Sequence, residues 1–405
     1  MSKRCVQLTT GLLQLFFAVV SGTVYAQKTD RVSEGIRMDA VAALPRTAFF
    51  ETDAAVARGE PGTLIRSEEF AGYDLPPDVH ATRILYRSRS QLDHDAVASA
   101  VVVVPTRAAP PGGWPVVIWA HGDTGVAQSC APSLTKSLGH NTQTLAKEGV
   151  LRGFAVVAVD YSGLGAGYQH EFLWKMANAN DIVFAAPAAR AAQPQLGSAS
   201  VVVGHSEGGQ AVWGVAEKMT KMRDTAYRGA VVLAPTVDSE TLVVRVGGAP
   251  GQSFYPVYVV SGIKAVYPNF DTHTVLLPAA LNAYKRLTTQ ACRGLSSALF
   301  ESVKVAAVLD ARWTAAPLVQ KLFTSNQVGN MPISGPMFVA SAESDDAVPA
   351  QLIAARVKAE CATGATVNYQ VYPGDHDSMM VTSFSDQVSW IMDRFQERPA
   401  PNSCK

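Results

Sequence analysis

The sequence predicts an α/β protein, with a mainly parallel sheet flanked by helices and an inserted, largely helical cap. Short apolar or β-branched runs, each ended by Gly, Pro, Asp or Ser, alternate with stretches of helix length. This alternation is typical of a parallel sheet that is covered on both faces. The predicted strands are 101–104, 116–119, 155–159, 201–203, 231–233, 337–340 and 367–372, and the clearest core helices are 181–192 and 209–221.

One interval, 238–330, lacks the repeated strand-helix unit. It holds a Gly/Pro-rich stretch, an aromatic stretch and two amphipathic segments, 276–287 and 299–309, that predict helices. We therefore expect a core in two parts, 27–237 and 331–405, separated by a cap. The alternative is that the interval folds as an independent second domain.

The first residues predict an export signal. Lys3 and Arg4 form a basic start, 12–20 is apolar apart from one Gln, and the small-residue pattern that ends at Ala26 is typical of signal-peptidase cleavage. Residues 1–26 are therefore predicted to be a signal peptide. Because the apolar run is too short to span a bilayer, we expect a secreted protein, extracellular or periplasmic, without stable membrane insertion.

Charge and cysteine content narrow the functional classes. The 405 residues contain 34 Lys and Arg against 34 Asp and Glu, without basic runs, so the sequence does not indicate a nucleic-acid partner.

After signal cleavage four cysteines remain, an even number that predicts two disulfides in an exported chain. They are Cys130, Cys292, Cys361 and Cys404. They allow three pairings and lack the CxxC spacing of a structural zinc site, and the sequence does not choose among the pairings.

The strand 201–203 runs directly into Gly204-His205-Ser206-Glu207-Gly208, and a helical stretch follows. A G-x-S-x-G motif between a strand and a helix is typical of the nucleophile turn of the α/β-hydrolase fold, where side chains in place of Gly204 and Gly208 would collide with neighbouring backbone. We therefore predict this fold and predict Ser206 as the nucleophile. His205 is expected to have a packing role.

A serine nucleophile needs a base, and in this fold the chain order is Ser, acid, His. Only His273 and His376 follow Ser206. His273 lies in the predicted cap and precedes the best acid candidate. His376 follows the last predicted strand, 367–372, where a base would overhang the edge of the sheet. His376 is therefore the predicted base.

The acid is expected in the loop after strand 337–340. Its D-x-x-V-P pattern favours Asp345, because Val348-Pro349 then starts the turn into the next helix. Asp346 is the alternative. Asp375 and Asp377 are too near the histidine in sequence to support its ring from below.

Acyl transfer also needs two amides directed at the developing oxyanion. Glu207 follows the nucleophile and is predicted to supply one amide. The strand 116–119 runs into His121-Gly122, so Asp123 is predicted to supply the other, with Thr124 as the alternative.

Neither a cofactor nor a metal is expected. The turn 160–167 fails the G-x-G-x-x-G dinucleotide pattern because Tyr168 occupies the last Gly position. Asp375 and Asp377 flank a histidine, but no companion cluster favours a metal site.

With these residues in place, the chain resembles the secretory lipase family from about Pro61 to the C-terminus. The shared motifs are Pro61-Gly62-Thr63-Leu64-Ile65-Arg66, Leu85-Tyr86-Arg87-Ser88, the HG loop followed by Cys130-Ala131-Pro132-Ser133, Asp160-Tyr161-Ser162-Gly163-Leu164-Gly165, the GHSEGG turn and D-x-x-V-P before the late histidine. The resemblance implies a secreted esterase or lipase with the triad Ser206, Asp345 and His376 and a helical cap inserted before the strand that carries the acid. It also implies the pairs Cys130–Cys292 and Cys361–Cys404, the first of which ties the oxyanion loop to the cap.

The predicted function is carboxylic ester hydrolysis through an acyl-enzyme on Ser206, with a lipid or other hydrophobic ester as substrate. The alternatives are a serine peptidase of the same fold, an esterase for carbohydrate-linked esters, and a non-catalytic binding protein on the same scaffold. Hydrolysis of esters of increasing acyl length, beside an aminoacyl anilide, distinguishes them.

Overall fold

The computed structural model describes residues 30–404. The predicted signal peptide, 1–26, lies outside the described residues. Within them, no helix combines the length and apolar character needed to cross a bilayer.

The described residues form nine strands, and these are β1 (Leu64–Glu69), β2 (Val79–Arg89), β3 (Asp95–Pro105), β4 (Trp114–Ala120), β5 (Ala155–Val159), β6 (Leu196–His205), β7 (Tyr227–Leu233), β8 (Met337–Ala342) and β9 (Val367–Tyr372). They make one sheet in the order β1-β2-β3-β5-β4-β6-β7-β8-β9. Strands β4 to β9 run parallel, and β1 to β3 add an antiparallel edge. The predicted, mainly parallel sheet is confirmed.

The sequence did not predict β1 and β2, because charged residues interrupt their apolar pattern. Arg83 lies in the middle of β2, yet its side chain is buried. Its guanidinium lies 3.4 Å from the centroid of the Phe70 ring, and it donates to the Tyr73 hydroxyl at 2.7 Å and to the Ser133 carbonyl at 3.3 Å. Its Nη1 also pairs with the Glu68 carboxylate at 3.2 Å. These partners satisfy the buried donors and balance the charge, so the strand accommodates an arginine that a pattern of apolar residues excludes.

The helices of the described residues are α1 (30–40), α2 (Ala54–Ala57), α3 (His140–Arg152), α4 (Lys175–Ala192), α5 (Glu207–Met222), α6 (Ser239–Gly248), α7 (Tyr255–Val266), α8 (Pro278–Thr289), α9 (Arg293–Phe300), α10 (Pro317–Ser325), α11 (Ala350–Cys361), α12 (Met379–Thr382) and α13 (Phe384–Phe395). Helices α3 and α13 pack on one face of the sheet, and α4, α5 and α11 pack on the other. Because successive strand side chains alternate between faces, Val201 and Val203 join one core while Val202 joins the other.

Helices α6 to α10 lie between β7 and β8, in the interval where the sequence predicted a cap. The predicted helix 276–287 is present as α8. The predicted helix 299–309 is wrong, because α9 ends at Phe300. Residues 308–310 use their backbone to pair with 275–277 instead: Leu277 donates to the Val308 carbonyl at 2.9 Å, and Asp310 donates to the Val275 carbonyl at 2.9 Å.

Two disulfides are present, Cys130–Cys292 and Cys361–Cys404, with Cα–Cα distances of 5.4 Å and 5.1 Å. They are the two pairs that the family resemblance implied. The first joins the loop after β4 to the start of α9. The second joins the end of α11 to the C-terminal segment, where Ser403 donates to the Val367 carbonyl at 2.7 Å.

Replacing both Cys361 and Cys404 by Ser should lower the free energy of unfolding by about 2–5 kcal/mol, because the bridge restricts the unfolded chain. Urea unfolding of the oxidised wild type and the double variant measures the difference, and non-reducing peptide mapping should recover both pairs. Equal unfolding midpoints, or four titratable thiols in the exported protein, would contradict the assignment.

Candidate active site

Ser206 lies at the sharp turn between β6 and α5, with backbone angles φ 58° and ψ −115°. The flanking glycines make this turn possible. A Cβ on Gly204 would lie 2.2 Å from the Gly208 carbonyl oxygen, and a Cβ on Gly208 would lie 2.1 Å from the Ala120 carbonyl oxygen. Since neither position can accept a side chain, both glycines of the motif are sterically required.

The structure brings His376 to Ser206. His376 Nε2 lies 2.9 Å from Ser206 Oγ, and His376 Nδ1 lies 2.7 Å from Asp345 Oδ2. A carboxylate only accepts, so Nδ1 carries the proton that is donated to Asp345. In the neutral ring this leaves Nε2 free to accept the serine hydroxyl proton, which is the tautomer that a general base needs.

Asp345 is held in its loop by backbone hydrogen bonds. Its side chain is fully buried, and Oδ1 accepts the amides of Ala347 at 2.9 Å and Val348 at 2.7 Å. Oδ2 is therefore left to accept the hydrogen bond from His376. Asp346, the alternative acid, is exposed and lines the cavity above the site.

The remaining candidates do not bond to the His376 ring. Asp375 accepts from the backbone and hydroxyl of Ser378 within its own loop, at 2.8 Å and 2.6 Å. His273 lies on the surface, where its Nδ1 is 3.0 Å from Asp271 Oδ1.

His205 is buried beside the histidine of the site. Its Nε2 donates to the His376 carbonyl oxygen at 2.8 Å. Burial, and then the neighbouring His376, lower the pKa of His205 to about 3. The ring therefore stays neutral and supports the backbone of the histidine loop.

The loop after β4 packs against Ser206. A Cβ on Gly122 would lie only 3.2 Å from Ser206 Cβ. The next residue, Asp123, turns its carboxylate inward: Oδ1 accepts the Gly125 amide at 2.8 Å, and Oδ2 accepts from Arg293 Nη1 at 2.6 Å. Burial raises the pKa of the Asp123 carboxyl, and the Arg293 guanidinium counteracts part of that rise. The Thr124 hydroxyl is buried without a hydrogen-bond partner among the described residues.

Glu207 is the first residue of α5, where backbone N–H groups lack acceptors within the helix. Its side chain is buried, and Oε1 accepts from the Leu173 amide at 2.8 Å and from Asn178 Nδ2 at 2.9 Å. His170 Nε2 lies 3.4 Å from the same oxygen. Burial acts to raise the pKa of Glu207, but the interactions with His170 and the Leu173 amide outweigh it and lower the pKa. The ionised side chain thus anchors the first turn of α5.

The turn 160–167 supports the neighbouring loop. Asp160 accepts the Ser133 amide at 2.9 Å and the Ser99 hydroxyl at 2.6 Å. The Tyr161 hydroxyl donates to the His121 carbonyl at 2.8 Å.

In the described part of the chain, no group of three or more His, Cys, Asp or Glu side chains is arranged to hold a metal ion.

A cavity of about 510 Å³ opens above Ser206. It is lined by Gly122, Asp123, His205, Ser206, Leu242, Arg245, Val246, Ala249, Gln252, Tyr255, Arg293, Ser344, Asp346, Ala347, Asp375, His376 and Asp377. The segment between β7 and β8 contributes an apolar wall, Leu242, Val246 and Ala249, and also the polar side chains of Arg245, Gln252 and Arg293. The loops after β8 and β9 contribute a second, polar wall. Sequence reasoning did not single out Arg245, Gln252 or Arg293. Among them only Arg293 had a signal, since it follows a cysteine that the resemblance linked to the oxyanion loop.

The strand order, the serine turn and the aspartate and histidine on the loops after β8 and β9 together define an α/β-hydrolase. A family model for secretory lipases matches residues 128–403. The chain belongs to the secretory lipase family, and its biochemical class is that of a lipase or esterase.

The chain is also similar to individual proteins. The chain is 24% identical over 383 residues to a probable inactive lipase of Mycobacterium tuberculosis, with 87% of this chain and 82% of that protein covered. Its fold is similar to the closed state of Candida antarctica lipase A, at a TM-score of 0.77 and 19% identity, with 90% of each chain covered. The fold is also similar to a rice cell wall degrading esterase from Xanthomonas oryzae, at a TM-score of 0.67 and 16% identity, covering 84% of this chain and 100% of that one. These structural similarities support the fold class.

Proposed function

We propose that this protein hydrolyses carboxylic esters through an acyl-enzyme on Ser206, with His376 as general base and Asp345 as its orienting acid. The observation that carries the proposal is the hydrogen-bonded series from Ser206 Oγ through His376 to Asp345, at 2.9 Å and 2.7 Å, at the floor of an open cavity. The relative from Mycobacterium tuberculosis is described as probably inactive, so activity has to be tested on this chain itself.

In the proposed reaction, His376 Nε2 takes the hydroxyl proton as Ser206 Oγ attacks the ester carbonyl carbon. The backbone amides of Asp123 and Glu207 donate to the oxyanion of the tetrahedral intermediate. His376 then gives its proton to the leaving alcohol, and an acyl-serine remains. Water, activated by the same histidine, attacks this second ester and releases the acid and the free serine.

We also propose that 238–330 acts as the inserted cap and that its apolar wall holds the acyl group. Leu242 and Val246 lie four residues apart on one face of α6, Ala249 directly follows that helix, and all three line the cavity. The alcohol portion of the ester would then lie toward the polar wall. A hydrophobic or lipid ester is the proposed substrate, and an ester of a polar alcohol such as a carbohydrate is the second candidate because of that polar wall.

With p-nitrophenyl esters, kcat/KM should rise from acetyl to butyryl or hexanoyl, because each methylene buried against the apolar wall contributes about 0.8 kcal/mol, or roughly fourfold. Leu242→Ala should flatten this rise. The aminoacyl anilide should be cleaved very little. A flat or falling series would favour the carbohydrate-ester candidate, and ready anilide cleavage would favour a serine peptidase.

Export is likewise a proposal, supported by the secretory family and by the two disulfides, which persist in oxidising compartments. N-terminal sequencing of the protein recovered outside the cytoplasm should begin at Gln27. A protein that starts at its initiator residue would contradict signal cleavage.

A further inference from the structure

Arg293, the first residue of α9, connects the segment between β7 and β8 to the loop that carries Asp123. Its Nη1 lies 2.6 Å from Asp123 Oδ2, and its Nη2 donates to Gln252 Oε1 at 3.2 Å. The Asp123 side chain is only 5% exposed, whereas the Arg293 side chain is 44% exposed. The nearly buried carboxylate of Asp123 therefore forms its ion pair with the guanidinium of Arg293, which approaches it from the cavity.

The carboxylate of Asp123 uses both oxygens to hold its own loop. Oδ1 accepts the Gly125 amide two residues along, and Oδ2 accepts from Arg293. Without the guanidinium, one oxygen of a buried carboxylate would lose its charged partner, which is costly enough to make the side chain reorient or take up a proton. Either change would disturb the backbone of residues 123–125.

The position of Arg293 is secured independently of this ion pair. Asp39 of α1 accepts the backbone amides of Cys292 and Gly294, each at 2.9 Å, and that of Leu295 at 3.2 Å. The neighbouring Cys292 is bonded to Cys130, and its backbone forms a bridge with Gly125. Arg293 therefore extends from an anchored helix start toward a loop that touches the nucleophile.

We propose that Arg293 is a positioning residue, which pairs with the Asp123 carboxylate to aim the Asp123 backbone amide at the oxyanion. This inference rests on the proposed function, because it gives the amide of Asp123 a part in ester hydrolysis. Oxyanion stabilisation depends on donors that are already oriented before the charge develops. Small displacements of such a donor reduce kcat, because the interaction is strongest in the transition state.

The test is steady-state kinetics on a p-nitrophenyl ester. Arg293→Met should lower kcat by about 10- to 100-fold, less than the loss of a whole donor, while KM changes by less than about threefold. Arg293→Lys should recover most of kcat, because Asp123 receives a single hydrogen bond from this side chain. The rate of Ser206 phosphonylation by a fluorophosphonate should fall in parallel with kcat.

A double-mutant cycle shows whether Arg293 acts through Asp123. Asn at position 123 keeps an oxygen for the Gly125 amide but needs no cation. In the Asp123→Asn background, Arg293→Met should therefore change kcat by less than about threefold. Arg312→Met is the matched control, because Arg312 forms an exposed ion pair with Asp310 in the same inserted segment and should keep wild-type kcat.

The proposal is overturned if Arg293→Met keeps wild-type kcat, raises KM alone, or has its full effect in the Asp123→Asn background. It is also overturned if Arg293→Lys is as slow as Arg293→Met while thermal unfolding shows both to be folded. In each case the wild type still hydrolyses the ester, so the proposed function stands. A wild type that neither cleaves esters nor reacts with the fluorophosphonate would contradict both the proposed ester hydrolysis and the proposed role of Arg293.

Discussion

Ser206→Ala should lower kcat for ester hydrolysis by about 10⁴- to 10⁶-fold, because the variant has no hydroxyl to form the acyl-enzyme. The variant should fold, since Ala replaces only the hydroxyl at a turn whose shape Gly204 and Gly208 permit. Ester hydrolysis and fluorophosphonate labelling, followed by peptide mapping, measure the effect. The wild type should be labelled at Ser206 alone.

Ser198→Ala is the matched control, because Ser198 is an exposed serine near the other end of β6, and it should leave both readouts unchanged. Labelling that persists in Ser206→Ala would show that another residue is the nucleophile. If the wild type neither hydrolyses esters nor becomes labelled, the chain would share the inactivity ascribed to its relative in Mycobacterium tuberculosis.

Asp345→Asn should lower kcat by about 10³- to 10⁴-fold. The carboxylate accepts from His376 Nδ1 at 2.7 Å, and an amide NH₂ turned toward that nitrogen would favour the tautomer with the proton on Nε2. That ring cannot accept the Ser206 proton. The amides of Ala347 and Val348 can still bond to the side-chain oxygen of Asn, so the loop should keep its shape.

Asp346→Asn is the adjacent control and should change kcat by less than about threefold, because an exposed side chain at the cavity wall contributes little to the histidine. Both variants are compared at the same pH, with circular dichroism to verify folding. A reversed order of effects would assign the acid to Asp346 and leave the rest of the mechanism intact.

Local sequence was sufficient to predict the elements that depend only on residues close together in the chain. The strands β5 and β9 are predicted to the residue: β5 is a brief apolar run, and β9 alternates apolar or aromatic residues with polar ones before the turn at Pro373-Gly374. The turn at Ser206 was equally predictable from sequence, because its tight geometry requires glycines at fixed positions. By contrast, β2 escaped prediction because the buried Arg83 is paired with the Glu68 carboxylate and donates to Tyr73 and Ser133, partners that lie on other segments of the chain.

The sequence by itself predicted the α/β-hydrolase class, the family, and Ser206 and His376 as nucleophile and base, because each depends on motifs of a few residues and on their order. Only the tertiary structure decided which of two adjacent aspartates bonds to His376, since the two differ by one residue in sequence but by burial in the fold. It also placed Arg293 against Asp123 and His170 against Glu207. Such pairs join elements remote along the chain, and an interaction between side chains depends on distance in space, which local sequence patterns do not encode.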